Sequence, residues 1–83
     1  MKLPRDLSAS DLIKALTRYG YTVTRQRGSH IRLTTQVGGE HHVTIPNHDP
    51  LRVGTLGSIL SDVAAHRGVD RAIVVNELFG SGA

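Results

Sequence analysis

Apolar residues along this chain change their spacing twice, from helical to alternating and back to helical. In a chain of only 83 residues that leaves few possible folds. Ser8 stands three residues before Asp11, an approximate capping box, and Leu12, Ile13, Leu16 and Tyr19 then recur at helical spacing until Gly20 offers a stop. The spacing predicts a first helix over residues 9 to 19. Tyr21 and Val23 next alternate with Thr22 and Thr24. After Gly28-Ser29 the alternation resumes, with Ile31 and Leu33 set against His30, Arg32 and Thr34. These are two antiparallel strands joined by a short turn. Val37-Gly38-Gly39-Glu40 is a second turn, and His42-Val43-Thr44-Ile45 a third strand that Pro46 ends because it has no N–H for a ladder.

Strict alternation gives this sheet one aliphatic face, with Val23, Ile31, Leu33, Val43 and Ile45. Its polar face then carries Thr22, Thr24, His30, Arg32, Thr34, His42 and Thr44. Asn47-His48-Asp49-Pro50 is a loop by its turn chemistry. Leu56, Ile59, Leu60 and Val63 form a second amphipathic helix, residues 54 to 66, which stops before Gly68. Asp70 is placed to cap a third, short helix through Ile73, Val74, Leu78 and Phe79. The β-branched run Ile73-Val74-Val75 would also suit a strand, and the helix is the preferred reading. The four apolar residues of this segment are expected to complete the core, the alternative being an interface with a partner protein or a second copy, and Gly80-Ser81-Gly82-Ala83 to fray.

The order helix, three strands, helix predicts an α+β domain of double-stranded-RNA-binding-domain topology, α-β-β-β-α. Three antiparallel strands form its sheet, and the helices pack on one face. One domain covers residues 1–83, with a core at about 8–67 and a C-terminal extension at 68–83. With 39% of residues apolar, the chain can build one core and not two. It has no cysteine, which removes disulfides and thiolate metal sites. The start, Met1-Lys2-Leu3-Pro4-Arg5-Asp6, lacks the apolar run of a signal peptide, and no segment has the length of a membrane span, so no membrane association is expected and the cytoplasm is the expected location.

Net charge is +3, and eight of the ten basic residues are arginine, whose planar fork suits phosphate. Chemistry concentrates in Arg25-Gln26-Arg27-Gly28-Ser29-His30. There two guanidinium groups precede a tight turn and an imidazole follows it. Arg25 and Arg27 can clamp phosphodiester oxygens, Gly28 and Ser29 can present backbone N–H groups, and His30 can move protons near neutral pH. Arg32 shares the polar face with His30. Cleaving RNA without a metal needs a base for the 2′-OH proton, cations on the phosphate, and an acid or water for the leaving oxygen. His30 fits the base, while His48, His42 or water could serve as the acid. A zinc site built from His41, His42 and His48 is disfavoured because adjacent strand residues point to opposite faces. No metal or other cofactor is expected.

Several pieces in order carry a family resemblance: Tyr19-Gly20-Tyr21, then Arg27-Gly28-Ser29-His30, then Val43-Thr44-Ile45-Pro46-Asn47-His48, then Gly54-Thr55-Leu56 with Ser58-Ile59-Leu60. Over roughly residues 8 to 67 the chain resembles the HicA family of toxin RNases from toxin-antitoxin modules. The resemblance implies a metal-independent endoribonuclease whose cleavage of mRNA depends on His30. It also implies a HicB-like antitoxin that masks the active site, with the toxin a monomer when free and part of a hetero-oligomer when neutralised. Gly57 departs from the family pattern, which commonly has a basic or long polar residue there, and the segment after Gly68 fits only loosely. The competing expectation is a non-catalytic RNA-binding module of the same fold, and a weaker one is a pure protein-interaction domain.

Overall fold

A computed structural model describes residues 3–4 and 6–80. The predicted fraying of residues 81–83 lies outside the described residues. The elements, in chain order, are α1 (Ala9–Arg18), β1 (Tyr21–Arg27), β2 (His30–Thr35), β3 (His41–Pro46), α2 (Val53–Arg67) and α3 (Arg71–Phe79). The strands form one antiparallel sheet in the order β1-β2-β3. This is the predicted α+β, double-stranded-RNA-binding-domain-like architecture, with α3 added. No described helix is long and apolar enough to cross a membrane.

Local chemistry explains the helix ends. The Ser8 hydroxyl accepts from the Asp11 N–H at 3.0 Å, and the Asp11 carboxylate accepts from the Ser8 N–H at 3.3 Å, so both halves of the capping box are made. Helix α2 closes on Gly68 in the left-handed conformation, where the Val69 N–H reaches the Ala64 carbonyl at 3.1 Å. Asp70 does occupy the N-cap of α3, but its side chain makes no capping hydrogen bond, which corrects that part of the expectation.

The core lies between the helices and one face of the sheet. Leu12 and Leu16 of α1, Leu33 and Ile45 of the sheet, Leu56, Leu60 and Val63 of α2, and Val74 of α3 are all sealed from solvent. Burying a side chain of this size stabilises the fold by about 1.5–3 kcal/mol. The helical reading of α3 is right, because Val74, Val75 and Leu78 turn one helical stripe onto α1 and α2. Ile73, expected in that core, is 46% exposed on the opposite side of the helix.

A second correction concerns β1. Val23, expected on the aliphatic face, does pair with Leu33, yet it remains 51% exposed, while Tyr21 is the fully buried residue of this strand. β1 is an edge strand that α1 packs against, and burial along it falls from the sealed Tyr21 to the half-exposed Val23. Beyond Val23 the pairing slips by one: Val23 faces Leu33, but the next partners are Arg25 and Arg32. Thr24 is the extra residue of a β-bulge, and past it the strand's inward and outward positions exchange.

Candidate functional site

The bulge decides which side chains meet. Unbroken alternation from Tyr21 would send Arg25 and Arg27 to the helix side of the sheet, with Val23. After the slip, Arg27 pairs with His30 and Arg25 with Arg32, so both join the open polar face. β2 and β3 continue the rows. His30 faces Pro46, Arg32 faces Thr44, and Thr34 faces His42. Successive rows on one face are two residues apart, about 6.8 Å along the strands.

These side chains enclose a cleft of about 300 Å³ lined by Arg25, Arg27, His30, Arg32, His42 and Thr44. Among the described residues, no carboxylate lies within ion-pair distance of its three guanidinium groups. They are therefore free to bind an anion from outside, and with their positive charges on one shallow face they would attract a polyanion. The cleft is open to solvent, and His30 is exposed within it. An imidazole in that setting is reachable by a substrate and by water.

Gly28 and Ser29 form the turn that brings Arg27 to His30. Gly28 takes φ +57°, the first-position glycine of a tight hairpin loop that matches the twist of its strands. Neither residue lines the cleft. The Ser29 carbonyl accepts from the Asn47 N–H at 2.6 Å, which fixes the turn to the end of β3. His48 lies just beyond, at the His30 end of the sheet. Its backbone ties β3 to α1, with the His48 carbonyl accepting from the Ala9 N–H at 3.0 Å, and its side chain is not part of the cleft lining.

His42 is held on both sides of its ring. Nε2 lies 2.8 Å from the Glu40 carboxylate and Nδ1 lies 2.7 Å from the Thr34 hydroxyl, which is itself 2.9 Å from the Thr24 hydroxyl. The sequence reading overlooked Glu40 as a partner, although the spacing Glu40-x-His42 puts both side chains on one face of an extended segment.

His41 faces the other way, as alternation requires. Its Nδ1 is hydrogen-bonded to the Tyr21 hydroxyl at 2.8 Å, and its ring stacks on His66 with centroids 4.4 Å apart. His66 in turn donates from Nε2 to the Val37 carbonyl at 2.9 Å, which fastens the β2–β3 turn to the end of α2. Burial pushes the His41 pKa below its ordinary value of 6.5; the neighbouring His66 and His42 push the same way, and Asp62 partly offsets them.

Gly57, the residue that departs from the resemblance, is buried in α2. A Cβ there would stand 3.2 Å from Nη1 of Arg71 and 3.5 Å from the Leu3 side chain. The space a side chain would use is therefore occupied by a guanidinium group supplied from α3.

Neither a curated protein nor a solved structure gives a match to the chain. A family model does, the one described as HicA toxin of bacterial toxin-antitoxin. It matches residues 9–64, a stretch that begins with α1, contains the whole sheet and the arginine-histidine cleft, and ends in α2. On that match the chain belongs to the HicA toxin family, the toxin side of a toxin-antitoxin pair.

Proposed function

We propose that this toxin is a metal-independent endoribonuclease that cleaves mRNA, with His30 as its acid/base residue. The observation that carries the reading is the cleft in which His30 stands beside Arg27 and one row from Arg25 and Arg32, without carboxylate partners for the arginines among the described residues. In the proposed reaction His30 takes the proton of a ribose 2′-OH, and the oxygen attacks the adjacent phosphorus. The bond to the 5′-oxygen breaks, leaving a 2′,3′-cyclic phosphate and a 5′-hydroxyl. The guanidinium groups stabilise the charge that builds on the phosphoryl oxygens.

Both ring nitrogens of His42 are engaged, and it stands two rows, about 14 Å of strand, from His30. His48 lies outside the cleft lining. In this open cleft water supplies the proton for the leaving oxygen. A HicB-like antitoxin would neutralise the toxin by laying carboxylates over the same arginines, and the free toxin would be a monomer.

The test is to incubate RNA with purified protein and with His30→Ala in EDTA. Cleavage by the first and not the second is expected. Equal cleavage by both, or none by either, refutes the assignment; salt-dependent binding without cleavage would identify a binding module instead.

A further inference from the structure

The far end of the cleft has a different chemistry from the His30 end. Across the open face, from β1 to the start of β3, Thr24, Thr34, His42 and Glu40 make a continuous chain of hydrogen bonds. A carboxylate only accepts, so Nε2 of His42 donates to Glu40, while Nδ1 pairs with the Thr34 hydroxyl and that hydroxyl with Thr24. The chain thus holds Glu40 in one orientation before any ligand arrives, and such a preorganised group loses little freedom on binding. Only Oε2 is used by His42, and the Glu40 side chain is 61% exposed. Among the described residues Oε1 has no hydrogen-bond partner, so it presents free lone pairs beside His42, a residue of the cleft lining that also holds three arginines.

An acceptor in that place discriminates. A phosphate oxygen that suits Arg25 or Arg32 would be repelled at Glu40, whereas an N–H group would be welcomed. Resting on the RNA reading of the cleft, we propose that Glu40 is a specificity-determining residue that accepts a hydrogen bond from the exocyclic amino group of a nucleobase. The base belongs to a nucleotide at a fixed step from the phosphate held beside His30, because the Thr34–His42 row is two rows from the His30 row on the same sheet face. Adenine, cytosine and guanine each carry such an amino group. Uracil does not, and its ring N–H is flanked by two carbonyls that a carboxylate repels. A ribose 2′-OH is the other donor an RNA strand offers, and the experiment separates the two.

The experiment measures binding of short single-stranded oligonucleotides to His30→Ala protein, so that no substrate is consumed. One position at a time is changed from guanosine to inosine, which lacks the amino group, or from cytidine to uridine, and in a parallel set to the 2′-deoxy nucleotide. The expected result is one position at which losing the amino group weakens binding by about fivefold or more, the low end of the range for a good base contact. That penalty should vanish on adding Glu40→Gln, whose carbonyl can still accept from His42 while its amide no longer offers an anionic acceptor. Glu40→Ala serves as the second variant, and thermal melting of both confirms that the domain is folded.

A penalty that persists in both Glu40 variants overturns the proposal, as does a loss that follows the 2′-OH and not the amino group. Failure to bind any oligonucleotide overturns it too. Discrimination that depends on Glu40 in a protein whose wild type cuts no RNA would sustain this inference and defeat the nuclease reading. Cleavage that depends on His30, with discrimination indifferent to Glu40, would do the reverse.

Discussion

The salt dependence of RNA binding tests the bulge at Thr24 directly, because the slip there decides how many guanidinium groups share the cleft. Each phosphate neutralised on a single strand contributes about 0.7 to the slope of log K against log salt. With Arg25, Arg27 and Arg32 all on the open face, the slope should be about −2.1, and affinity should fall about 18-fold between 50 and 200 mM salt. Had alternation run unbroken, only Arg32 would remain there, giving about −0.7 and a loss of about 2.6-fold. The perturbation is Arg25→Ala in a His30→Ala background, read by fluorescence anisotropy with a labelled single-stranded RNA at several salt concentrations. Removing Arg25 should bring the slope to about −1.4 and the loss to about 7-fold. Arg27→Ala should do the same. A slope unchanged by either substitution would refute the placement of that side chain on RNA, and a parent slope near −0.7 would refute the argument from the bulge.

Two predictions concern stability. Gly57→Ala removes the helix penalty of glycine, about 1 kcal/mol, and adds a Cβ whose tight neighbour is the end of the flexible, exposed Arg71 side chain at 3.2 Å. Arg71 can yield, so denaturant unfolding should show stabilisation of about 0.5–1 kcal/mol, and a destabilised variant would mean that Arg71 is held in place. His41 has a folded-state pKa below 6.5 because of burial, then His66 and His42, opposed by Asp62. Well above pH 6.5 it is neutral in both states and contributes no pH dependence. As pH falls below 6.5 the unfolded chain takes up the proton first, so stability is lost down to the folded-state pKa, at no more than about 1.4 kcal/mol per pH unit for this group. His41→Gln should therefore lose less stability than the parent protein between pH 7.5 and 5, measured by urea midpoints. An equal or larger loss would contradict the assignment.

Most of the fold was legible because its signals are local. The Ser8–Asp11 spacing sets the start of α1, Gly28-Ser29 sets a two-residue hairpin, and the Leu56-Ile59-Leu60-Val63 stripe marks α2. These need only neighbours within a turn of helix or a turn of chain. The sequence alone therefore determined the element order, the antiparallel sheet and the placement of His30 at the head of β2. It also placed His41 and His42 on opposite faces, since that follows from the pleat of any strand.

Tertiary structure decided what depends on distant partners. Val23 carries the pattern of a core residue, but burial needs something to cover it, and on the edge strand β1 it keeps half its surface in solvent. Ile73 is apolar within an apolar helix, and only the packing of α3 on α1 and α2 chose the stripe formed by Val74, Val75 and Leu78. Arg71 meets Gly57 across a helix pair, a contact no spacing rule encodes. A bulge has no reliable signature in one strand, because it is a mismatch between two strands and exists only once they pair. That mismatch at Thr24 brings Arg25 and Arg27 to the side of His30, so the residues of the cleft were written in the sequence while their meeting on one face was settled by strand register.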